Sequence, residues 1–493
     1  MSLFRTKSLS TLLAQVDEKG GLKRTLQWPG LIALGIGAII GAGIFVRTAA
    51  AAGQDAGPAV TLSFIVAALG CAFAGLCYAE FAAMIPVAGS AYTYAYVTMG
   101  ELVAWIIGWA LILEYALGAA TLSIAWTEYL NLLFPDLIPW EWRHSPLQTS
   151  TAGVHGIFNA PAVFILLILS LLLVKGTSES ATVNAIIVAV KVAIVLLIIV
   201  VGWKYMNPAY HTPYFMPPDE THQGVFKHGW GGVLGGAGIV FFAFIGFDAV
   251  STAAQETINP GKNMPIGIMG SLAVCTVLYI LFSYVLTGLV PSKDFVDPAK
   301  GMEASVAYAI HTAMPNYNWL VTLVTIAVLA GFSSVMLVML LGQSRVFYSM
   351  SKDGLLPKLF CQIHPTFRTP YKSNMVLFVF VALIGALLPG DITGDLTSVG
   401  TLTAFVLVSI GVWIMRRRSP NVERPFRTPM VPLVPILGAT ICLAMIVSRD
   451  TTIKLAALIW MVIGLVVYFL YAKSHSNLCE PEIGGSLQPE TGD

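Results

Sequence analysis

The sequence predicts an all-α integral membrane protein of twelve transmembrane helices. Three observations carry that expectation. Of its 493 residues, 56% are hydrophobic and 11% are charged, whereas a soluble domain holds roughly a quarter charged residues. Apolar windows of about twenty residues, the length a helix needs to cross the hydrocarbon, recur along the chain. Two of those windows are interrupted near their middle by small residues, where lipid offers no partner to a freed backbone group.

In order, the spans are expected near residues 29–52, 57–84, 93–132, 158–175, 181–205, 230–256, 264–290, 316–344, 372–389, 394–416, 430–448 and 452–473. The third is long for one crossing, and its start in Gly89-Ser90-Ala91-Tyr92-Thr93-Tyr94 reads as an interfacial turn. The connections 134–158, 206–228 and 291–315 are polar and contain proline, as loops with short helical pieces do. Residues 1–28 form a polar, basic segment with no short apolar region and cleavage site, so the first span is expected to remain in the mature chain. Residues 474–493 read as an unfolded tail, above all Pro481 to Asp493.

Basic residues set the orientation. Arg5, Lys7, Lys19, Lys23 and Arg24 precede the first span. Arg345, Lys352, Lys358, Arg368 and Lys372 follow the eighth, and Arg416, Arg417, Arg418, Arg424 and Arg427 follow the tenth. With Lys175, Lys262 and Lys473, about 18 of the 27 Lys and Arg fall on one side, which predicts cytoplasmic termini. Short loops suit a bacterial inner membrane.

Several function classes fall away. A net charge of +1 gives no reason to invoke nucleic acid. Cys71, Cys77, Cys275, Cys361, Cys442 and Cys479 lie mostly in apolar stretches without metal-ligand spacing and read as packing residues. No Ser/His/Asp set, paired carboxylates or metal cluster is evident, and the eight histidines fall in loops, near span ends or in the tail. An enzyme, a metal and a cofactor are not expected. Oligomeric state is not legible.

The two interruptions are the informative feature. In the first span, Gly41-Ala42-Gly43 divides an apolar run; in the sixth, the break falls at Ile245-Gly246-Phe247, with Asp248 placed to cap the following piece. Either glycine-rich stretch alone would also suit close helix packing. Together they lie five spans apart, so spans 1–5 (29–205) and 6–10 (230–417) read as two repeats. An odd span number inverts the second copy, and matched interrupted helices in two halves point to a carrier's site at mid-membrane.

The chemistry of such a site follows from the backbone. The amides of Gly41, Ala42, Gly43 and Ile44, with Ile40 before them, open a helical piece whose dipole favours a carboxylate. Carbonyls of Phe242, Ala243 and Ile245 would suit an ammonium group. One anion pocket beside one cation pocket fits an α-amino acid. Phe244 and Phe247 could close over it, or simply pack.

At this point the residues resemble a known family. GIGAIIGAGIF at Gly35–Phe45, PVAGSAYTYAY at Pro86–Tyr96, GELVAWIIGW at Gly100–Trp109, FFAFIGFDAVSTAAQETINPGKNMPIGI at Phe241–Ile268 and RVFYSMSKDGLLP at Arg345–Pro357 are similar to the amino acid-polyamine-organocation superfamily of permeases, within it the cationic amino acid transporter group. The resemblance implies a leucine-transporter-type 5+5 inverted repeat with discontinuous helices 1 and 6, plus two added C-terminal helices at 430–473. It also implies amino-acid substrates, with neutral as well as cationic carriers among the relatives.

Charges inside spans remain. Lys191 sits mid-way along span 5, too far from either end to snorkel, and an ionisable group there suggests function. In proton-coupled members of the superfamily a lysine on helix 5 replaces a sodium ion between helices 1 and 8. Lys191 looks like that lysine, and Ser333 and Ser334 match sodium-ligating positions of sodium-coupled relatives. A lysine permanently paired with a carboxylate is the plainer reading. Glu114 lies mid-span in helix 3 on a turn with Tyr115, Gly118 and Ala119; it could pair with Lys191, contact substrate or exchange protons. Glu101 is expected to hold the inner gate, Glu80 and Glu256 to pair with loop arginines, and Arg47 to form a salt bridge in an outer vestibule. Ser333, Ser334, Val335 and Val338 are expected to face the pocket, and a bulky Met339 tilts the substrate towards neutral amino acids, with cationic ones left open as further substrates. A proton-coupled symporter is thus the leading expectation, ahead of an exchanger, a sodium-coupled carrier or a non-transporting sensor.

Overall fold

The computed structural model describes residues 5–7, 25–85, 90–135, 137–176, 181–218, 223–296 and 305–477. Lys19, Lys23, Arg24, Cys479, the tail from Pro481 and the Pro86–Gly89 part of one family motif lie outside them. Within the described residues the chain is helical, with only isolated β-bridges, Leu26 to Thr257 and Thr149 to His155.

The long helices are α1 (Trp28–Ile39), α3 (Val60–Met84), α5 (Glu101–Leu133), α6 (Ala160–Lys175), α7 (Ala181–Trp203), α8 (Gly229–Val240), α9 (Pro260–Leu289), α11 (Asn318–Lys352), α12 (Tyr371–Leu387), α13 (Gly390–Arg418), α14 (Leu433–Val447) and α15 (Thr451–Val467). Shorter pieces are α2 (Thr48–Ala51), α4 (Ser90–Thr98), α10 (Ser305–Ala313) and α16 (Lys473–His475). Among the described residues eight helical stretches are long and apolar enough to cross a membrane, and Trp28–Ile39, Ala160–Lys175, Tyr371–Leu387 and Leu433–Val447 are shorter apolar helices.

The seventh and tenth spans each begin four residues early, at Pro260 and Gly390, and two other differences are larger. The third span is two helices, α4 and α5, parted at Gly100, whose φ of 98° a side chain would strain. The eighth runs to Lys352, beyond the expected end at 344, because Gln343, Ser344 and Ser351 are buried against neighbours and helical order outlasts the apolar pattern.

Packing sorts the helices into two groups. α9 lies along α3 and α1, and α3 also along α8. α5 lies along α11 and α13, with α12 beside α6. α14 touches both groups, packing on α13 and on α3. The span from Gly229 to Ser251 is 89% buried and that from Thr451 to His475 only 22% buried. The second interrupted span is therefore central, while α15 shows an apolar face (Leu455, Leu458, Ile459, Val462) suited to lipid.

Cys71, Cys77, Cys275 and Cys442 are free and buried, as packing residues would be, and Cys361 is partly exposed. Among the described residues no cluster of His, Cys, Asp and Glu could hold a metal ion.

Candidate functional site

Both breaks are present. α1 ends at Ile39, and Ile40 turns extended (φ −73°, ψ 101°) before the chain resumes as a π-helical piece, Gly43–Arg47. α8 ends at Val240, tightens to a 3₁₀ turn at Phe241–Phe244, and opens at Ile245 (ψ 135°) and Gly246 (φ 113°). Only glycine adopts that last conformation freely, and a Cβ there would lie 2.7 Å from the Ala38 carbonyl oxygen. A second 3₁₀ piece, Asp248–Glu256, follows. The breaks cross at Gly43 and Ala243, where a Cβ on Gly43 would lie 2.6 Å from the Ala243 nitrogen.

Side chains from other helices satisfy much of the opened backbone. The Tyr279 hydroxyl of α9 lies 3.1 Å from the Ile39 carbonyl and 2.9 Å from that of Ala243, one on each break. It carries one proton, so it serves one carbonyl at a time. The Phe242 carbonyl accepts the Ile245 amide at 3.3 Å. Of the three carbonyls expected to be free, Phe242 and Ala243 are thus engaged, because buried backbone groups find partners wherever geometry permits. The amides of Gly41, Ala42, Gly43 and Ile44 lie at the start of the Gly43–Arg47 piece, where a helix has donors without intrahelical acceptors.

The hollow between the breaks is lined by Ala38, Ile39, Gly41, Ala42, Gly43, Leu122, Phe242, Ile245, Val335 and Met339, and holds about 10 Å³, room for roughly one water. Ile40 and Ile44, at 0% exposure, are core residues beside it. Val335 and Met339 line it as expected; Ser333, Ser334 and Val338 do not. The Ser333 hydroxyl turns back to the Leu329 carbonyl at 2.9 Å, and Ser334 is buried. Phe244 packs on Phe64 and Tyr279, and Phe247 on Tyr78 and Phe405, so neither covers the hollow. Phe242 does face it, a residue that sequence reasoning credited only with its carbonyl.

Glu114, Tyr115 and Ala119 are buried but do not line the hollow. Tyr115 sits against Gly342 of α11 and donates to Asp248 at 3.4 Å. Glu114 is fully buried, with Gly400 and Thr401 of α13 beside it. Asp248 is the first residue of the second 3₁₀ piece, and its carboxylate accepts the Gly246 amide at 3.3 Å along with the Asp248 and Ala249 amides at the start of that piece. Lys191, 3% exposed, donates to the Gly37 carbonyl of α1 at 2.9 Å, and its stem passes Gly331 of α11. It therefore touches both helices named for it.

One face is tied shut. Glu101 accepts the hydroxyls of Tyr96 at 3.2 Å, Tyr468 at 2.9 Å and Ser476, and its amide donates to the Arg5 carbonyl. Asp353 binds Lys7 at 2.8 Å and Tyr92 at 2.8 Å. Glu80 pairs with Arg416 at 2.8 Å and Arg424 at 3.3 Å. Residues 5–7 and the end of the last helix share this face. On the other face a groove of about 990 Å³ shares Gln54 and Asp391 with a vestibule of about 410 Å³, whose floor reaches Ala42 of the hollow. Arg47 lines that vestibule and pairs with Asp395, as expected.

Tyr279→Phe tests the bridge across the breaks. It leaves two buried carbonyls without the shared donor, at about 1–3 kcal/mol. Uptake by purified, folded protein is expected to fall about tenfold or more, with a lowered melting temperature; unaltered uptake would show the bridge to be idle.

Two apposed helix breaks and a small hollow between them, parted by Ala42 from a vestibule on one face, are the features of a helical membrane transporter. Comparison with known proteins agrees. The family model described as amino acid permease matches residues 26–475. The branched-chain amino acid permease BcaP of Bacillus subtilis (strain 168) is 43% identical over 97% of this chain and 99% of its own length. The methylthioribose transporter of the same organism is 42% identical over the same shares. Cationic amino acid transporter 4, vacuolar, of Arabidopsis thaliana is 34% identical over 85% of this chain and 68% of its own. The chain belongs to the amino acid permease family.

Proposed function

We propose that the protein is a proton-coupled symporter of neutral amino acids with aliphatic side chains, working by alternating access. In this reading twelve helices cross a bacterial cell membrane, spans 1–5 and 6–10 are inverted repeats, and the face closed by Glu101 and Asp353 is cytoplasmic, with both termini. The observation that carries the substrate class is the wall of the hollow: Ile39, Leu122, Phe242, Ile245, Val335 and Met339 present only apolar side chains, and Glu114 is not among them. Such a wall favours a branched aliphatic side chain and gives a cationic one no partner. The amides at Gly41–Ile44 supply the carboxylate pocket. The similarity to a branched-chain amino acid permease supports the same choice.

A second reading has one observation behind it, the 42% identity to a methylthioribose transporter. That ligand has no carboxylate or ammonium for the break to hold. Uptake of leucine, isoleucine, valine and arginine into proteoliposomes, under a pH gradient or a sodium gradient, separates the readings, with methylthioribose as competitor. Leucine uptake that follows the pH gradient supports the proposal. Uptake that follows only sodium would overturn the coupling, uptake indifferent to both would indicate exchange, and transport of methylthioribose alone would overturn the substrate class.

Met339 gives a finer test. Its sulfur fills the space beside Gly118, 3.6 Å from where a Cβ on that glycine would lie. Met339→Ala deepens the hollow and is expected to shift the ratio of kcat/KM for phenylalanine over valine upward by about tenfold, in line with the value of a few methylenes in an apolar pocket. An unchanged ratio would place the side chain elsewhere.

A further inference from the structure

Arg449 stands in the turn between α14 and α15 and is 4% exposed. Its guanidinium lies 3.2 Å from Asp55, at the outer end of the broken first helix, and 3.5 Å from Asp395 on α13. It also donates to the Gly235 carbonyl on α8. Asp395 is shared with Arg47, and Asp55 with Lys227 at 2.9 Å, which reaches Asp450 at 3.6 Å. Cations and carboxylates thus alternate along one row: Arg47, Asp395, Arg449, Asp55, Lys227, Asp450.

The row crosses the seam between the two helix groups. Asp55 and Gly235 belong to the group of α1, α3, α8 and α9, and Asp395 to that of α5, α11 and α13. We propose that Arg449 is the latch of the outer gate, a positioning residue that holds the first group closed against α13 without touching substrate. This rests on the alternating-access reading above. Buried ion pairs contribute little net stability but demand one geometry, which suits a contact that is either made or broken. If the groups part at this face, Arg449 cannot follow both Asp55 and Asp395. Its position assigns a task to the α14–α15 pair, which lies outside both repeats.

The charge pattern also makes the idea testable. Without Arg449, Asp395 keeps Arg47 and Asp55 keeps Lys227, so no buried carboxylate loses its last cation. Ala125 on α5, 4% exposed and lining the vestibule, takes a reporter cysteine. Its labelling by a membrane-impermeant maleimide is compared in the parent and with Arg449→Gln. Asp55→Asn, which cuts one link of the latch, serves as a second variant should the first not fold. Labelling above that of the cysteine-free position is expected to quicken about tenfold in Arg449→Gln and less in Asp55→Asn. Uptake turnover should fall while KM for external leucine does not rise. Unchanged labelling in a folded variant would overturn the latch. So would equal quickening at the buried native Cys275, which would mean general loosening. Absence of uptake in the parent would sink the transport reading, and the labelling comparison would still decide the latch.

Discussion

Gly43→Ala is expected to abolish uptake, whereas Gly41→Ala, two residues away, should keep it within a few-fold. The two glycines look alike in sequence but meet different surroundings. A Cβ on Gly41 would touch the Val335 methyls at 3.4 and 3.6 Å, ordinary van der Waals contact with a side chain. A Cβ on Gly43 would run into the Ala243 backbone, Cα and nitrogen both. Side chains can turn aside; a backbone crossing cannot. The breaks would have to separate, at about 1–3 kcal/mol in packing alone, and the Tyr279 hydroxyl could no longer reach both carbonyls. Misplacing a binding constellation by an ångström costs on the order of a hundredfold. Leucine uptake and binding by the two purified variants, matched for folded content, provide the check. Equal activity would show that the crossing does not set the site.

Much of this architecture was legible because it depends on backbone chemistry that sequence reports directly. Glycines at 41, 43 and 246 mark where helices cannot or need not continue, and the structure opens at those places. Ion pairs made by Glu80 and Arg47 were equally readable, since a buried charge needs a partner and few candidates exist. The wall of the hollow was less so. Periodicity places Phe242, Phe244 and Phe247 on an apolar helix, but it assumes 100° per residue. The 3₁₀ turn and the Gly246 conformation change that angle, which turns Phe244 to Phe64 and Phe247 to Phe405 and leaves Phe242 inward. Tyr279 gave no signal at all. A tyrosine amid the apolar residues of α9 reads as packing until its distances to Ile39 and Ala243 are known. The same holds for Arg449, whose partners at 55, 235 and 395 are remote in sequence.

Lys191→Met should remove pH-driven accumulation while leaving exchange of preloaded leucine in place. Lys191 is 3% exposed and donates to the Gly37 carbonyl, in the part of the first helix before its break. Its stem passes Gly331, so it ties α1 to α11 through a group whose charge depends on one proton. When the ammonium is present, the carbonyl has a charge-assisted donor and the two helix groups are held in register. In the proton-coupled reading proposed above, loss of the proton weakens the tie and lets the groups move with the site empty. Methionine matches the length of the lysine stem but offers neither proton nor donor, so the loaded carrier can still cycle while the empty one gains nothing from the gradient. Each pH unit is worth about 1.4 kcal/mol, or about tenfold accumulation for one proton per substrate. The variant's accumulation ratio in proteoliposomes is therefore expected to fall to about one at every imposed gradient. Persistence of a gradient-dependent ratio in Lys191→Met would assign the coupling proton elsewhere. Buried Glu114 would then be the next group to replace.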